Sequence, residues 1–124
     1  MQASQEVLWL VLAALAPCLG VLSAQQPDRE TFRKEYLEKF PWTTANTTAG
    51  DAMMLRIMVE STGAKRGVEV GTNTGYGAIN MGIGFERTGG TLTTIEINAR
   101  TAEAARKHLA AVGLEKVVTV VQGD

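Results

Sequence analysis

Glu69 stands just ahead of a small-residue stretch, Gly71-Thr72-Asn73-Thr74-Gly75-Tyr76-Gly77, and a second carboxylate, Glu96, follows Gly75 by 21 residues. Glycines at a strand-to-helix turn let the backbone pass close under a ligand, and the helix start offers unpaired N–H groups to a carboxylate or phosphate. An acidic residue at the tip of the next strand can accept both hydroxyls of a ribose, and 21 residues is the right reach for that role. Glu69 would repel a phosphate but could hold an ammonium group.

The phosphate-binding patterns fail here. A G-x-G-x-x-G pattern begun at Gly71 meets Asn73 where its second glycine belongs, and one begun at Gly75 meets Asn80 at its last position. No Walker lysine follows. A ligand with a ribose at one end, an amino acid at the other and no phosphate fits the residues best, which is S-adenosyl-L-methionine. The rival reading is a nucleotide- or NAD-binding module that senses a ligand without chemistry.

These residues need elements to hold them. Gly67-Val68-Glu69-Val70, Thr91 to Ile97 and Val117 to Val121 are β-rich runs whose starts are spaced by 24 and then 26 residues. Asn98 caps a helix over Ala99 to Val112 that Gly113 stops, with Ala102, Ala105, Leu109 and Val112 on one face. Tyr76 to Glu86 reads as a helix interrupted by Gly82 and Gly84, a pair that suggests close packing. Strand, helix, strand, helix, strand at this pitch predicts an α/β fold, a parallel sheet with right-handed crossovers. Upstream, Phe32, Tyr36, Leu37 and Phe40 recur at helical spacing before Pro41, and Trp42 to Gly50 is an aperiodic loop. Thr48 and Asp51 form a capping-box signature for a helix to about Thr62, with Ala52, Leu55, Met58 and Val59 as its buried stripe and Gly63 as its stop. Met53, Met54 and Met58 are read as packing residues. Asn46-Thr47-Thr48 matches a glycosylation sequon but is read as a polar loop.

Composition narrows the chemistry. In 124 residues, twelve Lys and Arg against thirteen Asp and Glu give a net charge of −1, so nucleic acid is not an expected partner. The one cysteine, Cys18, and the one histidine, His108, leave little for a thiol nucleophile, a zinc site or a triad. His108, beside Lys107, is expected to be solvated without a catalytic role. Val7 to Leu22 is sixteen residues without charge, followed by Ser23-Ala24. Residues 1–24 are read as a signal peptide cleaved near Ala24, and the protein as exported; a membrane anchor through residues 7–22 with a cytoplasmic domain is the alternative. Residues 25–50 follow as a helix and loop.

Three stretches in order carry a resemblance. Ala64 to Tyr76 resembles the first motif of class I S-adenosylmethionine-dependent O-methyltransferases of the catechol and caffeoyl-CoA type, Gly89 to Glu96 the second-strand motif, and Val120-Val121-Gln122-Gly123-Asp124 the third. The resemblance implies a Rossmann-like seven-stranded sheet, of which residues 51–124 would be the first βαβαβ half, and methyl transfer to a hydroxyl of a small-molecule acceptor. It implies that Glu69, Gly71, Thr72, Gly75 and Tyr76 surround the methionine end of the cofactor, Glu96 the ribose and Asp124 the adenine amino group. Gly77 stands where family members commonly have Ser, which leaves backbone N–H to meet the methionine carboxylate. A divalent metal, the catalytic base and any homodimer would belong to a full-length parent, through residues beyond Asp124. The chain is therefore expected to be an N-terminal fragment, inactive by itself.

Overall fold

The computed structural model describes residues 28–124; the segment read as export signal or anchor, with Cys18, lies outside them. Asp28 opens α1 (Arg29–Glu38) by accepting the N–H groups of Glu30 and Thr31 at 2.9 and 3.0 Å. Thr48 opens α2 (Ala49–Thr62): its hydroxyl accepts the Asp51 N–H and donates to the Asp51 carboxylate at 2.7 Å. Gly63 ends that helix at φ 63°, a conformation that favours glycine.

The rest alternates as the spacing predicts. β1 (Arg66–Val70), α3 (Tyr76–Thr88), β2 (Thr91–Glu96), α4 (Ala99–Ala111, capped by Asn98) and β3 (Val118–Gln122) follow in turn. The sheet has the order β1-β2-β3 and both pairings are parallel, with Glu69 opposite Thr94 and Glu96 opposite Gln122. Both carboxylates thus reach the same end of the sheet.

α3 is one unbroken helix, buried at every position from Tyr76 to Phe85, which corrects the expected interruption. Its glycines are needed for approach. A Cβ on Gly82 would lie 2.6 Å from Val118 Cγ2, and one on Gly84 would lie 3.1 Å from Val59 Cγ1 and 3.2 Å from the Arg56 carbonyl. The packing gained by bringing β3 and α2 so close to α3 offsets the helix propensity that two glycines forfeit.

Two expectations about the outer helices need correction. On α2 only Ala52 and Val59 are buried; Leu55 and Met58 face outward, Met58 at 55 % exposure, and Met53 and Met54 are exposed with them. The run Ala-Met-Met-Leu-Arg-Ile-Met is apolar around most of the helix, so periodicity could not select the stripe, and the narrow contact through Gly84 did. On α1 the buried residue is Arg33, at 5 % exposure, while Phe32 points out. The Arg33 guanidinium donates to the Val112 carbonyl at 2.9 Å and pairs with Glu86 at 2.5 Å. Burial is tolerated because the charge is paired and its donors are used.

The two faces of the sheet differ. Leu92, Thr94, Glu96 and Val118 point under the helices and are buried, whereas Val68 and Val70 on the other face are 71 % and 83 % exposed.

Candidate functional site

The chain leaves β1 through Gly71 (φ 90°), Asn73 (φ 49°) and Gly75 (φ 100°), three positive-φ positions in five residues. Such a run bends the backbone sharply before α3, and asparagine is the non-glycine residue that accepts it at least cost. The N–H groups of Gly71 and Thr72 both bond the Ile95 carbonyl, at 2.9 and 3.2 Å, which ties the turn to β2. A Cβ on Gly75 would sit 3.2 Å from that of Ala105, so the turn lies directly on α4. A Cβ on Gly71 would meet nothing within 4 Å, which leaves open space over the start of the turn. No side chain caps α3, so its first N–H groups have no side-chain acceptor.

Glu96 closes the other side. Its Oε2 accepts the Asn73 N–H at 2.7 Å and its Oε1 the Asn98 N–H at 2.9 Å, and the residue is 8 % exposed. These bonds, the one from Asn98 first, hold the carboxyl below its ordinary range and keep it ionised. A carboxylate so pinned retains lone pairs with which to accept two vicinal hydroxyls.

Glu69 behaves in the opposite way. Burial pushes its carboxyl upward, and one hydrogen bond, from Thr94 Oγ1 to Oε2 at 2.5 Å, pulls it partly back. Oε1 carries no hydrogen bond among the described residues. That oxygen would lie 2.8 Å from a Cβ built on Gly77, and Thr47 Oγ1 would lie 3.1 Å from it. The glycine at position 77 leaves the carboxylate where it is: a Cβ there would require the Glu69 side chain to shift.

Glu69, Gly71, Thr72, Gly75, Tyr76, Gly77 and Glu96 are brought to one end of the sheet. Asp124 lies two residues beyond Gln122, the register partner of Glu96, and is exposed. Tyr76 is buried against Trp42 and Phe40, with ring centroids 4.3 and 5.1 Å away. Burial raises its hydroxyl's pKa.

Several contributors were not singled out from sequence. Asn46 and Thr74 exchange hydrogen bonds at 3.1 and 3.2 Å, and the Asn73 amide donates to Thr43 Oγ1 at 2.5 Å, so the loop after α1 is fastened to the glycine turn. An aperiodic run of Thr and Asn gave no positional signal for this. Thr94 did leave one: it is the polar residue between Leu92 and Glu96 in the inward row of a strand. His108 departs from expectation. It is half-buried, its Nδ1 lies 2.6 Å from the Tyr36 hydroxyl, and its ring packs 4.7 Å from that of Phe40. Burial lowers its pKa.

Comparison with known proteins bears directly on this arrangement. A family model described as O-methyltransferase matches residues 22–124. Caffeoyl-CoA O-methyltransferases 1 and 2 of Zea mays are each 27% identical over 79 residues, covering 64% of this chain and 30% of theirs. A Klebsiella pneumoniae structure described as an O-methyltransferase is 27% identical with a TM-score of 0.62, covering 96% of this chain and 50% of its own. An O-methyltransferase of Bacillus cereus in complex with SAH is 22% identical at a TM-score of 0.63, over 96% of this chain and 50% of that one. The SAH-bound methyltransferase PaMTH1 of Podospora anserina is 19% identical at 0.65, over all of this chain and 52% of that one. The chain thus spans about a third of the length of the curated relatives and about half of these structures. With the predicted Rossmann-like α/β topology in place and the family model spanning the sheet and the glycine turn, the chain belongs to the O-methyltransferase family.

Proposed function

We propose that this chain supplies the S-adenosylmethionine-binding half of an enzyme that methylates a hydroxyl of a small molecule. The observation that carries the reading is Glu96, ionised and held by two backbone N–H groups across from a glycine turn with open space above Gly71. The residues fit such a cofactor: Glu96 accepts the ribose hydroxyls, Glu69 Oε1 receives the ammonium, and the N–H groups at the start of α3 meet the carboxylate. When bound, the cofactor supplies an electrophilic methyl group on a sulfonium. The chain's own residues bind and orient; the acceptor hydroxyl and its base are not assigned to any of them. The O-methyltransferase family membership favours this over a ligand-sensing module.

Calorimetry on the full chain with S-adenosylmethionine, S-adenosylhomocysteine and NAD tests the proposal. Binding of the first two without NAD is expected, and Glu96→Ala should weaken it by about 1–3 kcal/mol, the cost of losing a charged hydrogen-bond acceptor. Preference for NAD overturns it.

A further inference from the structure

Thr72 and Thr94 form a buried hydroxyl pair beneath the glycine turn, 3 % and 0 % exposed. With Glu69 ionised, the single Thr94 proton goes to Glu69 Oε2, so the Thr94 oxygen accepts from Thr72. The three groups make a one-way relay, Thr72 to Thr94 to Glu69, running from the turn across β2 and back to β1. Two buried valines would fill the same volume, so packing alone gives no reason for two hydroxyls here, but they would leave Glu69 Oε2 without its one hydrogen bond. What the hydroxyls do is engage Oε2 and hold Oε1 against the start of α3, where Gly77 leaves room for it. Without the relay, no other hydrogen bond among the described residues holds this half-buried carboxylate in place.

We propose that Thr94, backed by Thr72, is a positioning residue that aims Glu69 at a cationic amino group, and so gives the site its selectivity for a nucleoside carrying an amino acid. The inference rests on the proposed S-adenosylmethionine reading and deepens it. Thr94 touches no ligand; it acts through Glu69 alone.

The test compares two ligands that share the nucleoside and differ in the amino-acid end: S-adenosylhomocysteine, and 5′-methylthioadenosine, which lacks the ammonium and carboxylate. Calorimetry on the full chain should show Thr94→Val losing about tenfold in affinity for the first and nothing for the second, the scale of one charged hydrogen bond. Thr94→Ser, which keeps the hydroxyl, should restore most of the loss. Thr72→Val should show the same selective loss at smaller size, and it serves alone if Thr94→Val fails to fold. Equal loss of both ligands, or loss of neither, overturns the relay's role while leaving the cofactor reading in place. Wild-type protein that binds neither ligand overturns both.

Discussion

The two faces of the same three strands have little in common. Under the helices, Leu92, Thr94 and Val118 are sealed by α3 and α4, and every polar side chain that enters is paired: Thr72 with Thr94, Arg33 with Glu86 and two backbone carbonyls. On the other face Val68, Val70 and Val121 stand exposed. Among the described residues, helices thus pack on one side of the sheet. The covered face already holds the glycine turn and both carboxylates, so the residues proposed to bind the cofactor are positioned by contacts within residues 28–124. Among the described residues, the other face carries none of the side chains proposed to bind the cofactor.

The comparison can be broken at Ile79, which is fully buried in the first turn of α3. Ile79→Ala should cost about 2–5 kcal/mol, the range for a large core residue cut to alanine, read as a shift in urea midpoint. A loss below 1 kcal/mol, on that same scale, would mean the covered face is not a packed core.

Acid sharpens the contrast at smaller size. Glu96 and Glu86 both titrate below their ordinary 4.5, the first chiefly through the Asn98 N–H and the second through Arg33. A carboxyl with a lowered folded pKa lends stability that is present above its unfolded value and lost as pH falls through the folded one. Melting temperature should therefore drop as pH falls below the ordinary 4.5, with the Glu86 share worth about 1 kcal/mol at most because that pair is partly solvated. Glu86→Gln should flatten part of the acid limb; an unchanged profile would remove the Arg33 pair from the account.

The smallest effect is expected at Val70. Val70→Thr keeps the β-branched shape and should change stability by no more than about 0.5 kcal/mol, as exposed substitutions do, while reducing self-association in light scattering. A loss comparable with that of Ile79→Ala would show that this face is covered in solution.

The order of elements was legible because each boundary carries a local signal. Asn98 and Thr48 cap, Gly63 and Gly113 stop, and three β-branched runs recur at the pitch of a parallel crossover. Glu69, the glycine turn and Glu96 were legible for the same reason, since spacing along the chain sets their meeting at one sheet end. What was hidden depends on tertiary approach. Met58 and Leu55 look like core until α3 meets α2 through a glycine, and Arg33 looks like surface until Glu86 and Val112 surround it. His108 was misplaced likewise, because its partner Tyr36 is 72 residues away.

Arg33 also has a place in time. Its guanidinium donates to the Val112 and Gly113 carbonyls, which lie 79 and 80 residues further along the chain. During synthesis at roughly 5–20 residues per second, those acceptors are made on the order of ten seconds after the arginine. For that interval α1 has no partner at the far end of α4 to fasten to. Among the described residues, the first helix to be translated is therefore the one whose buried arginine is satisfied last.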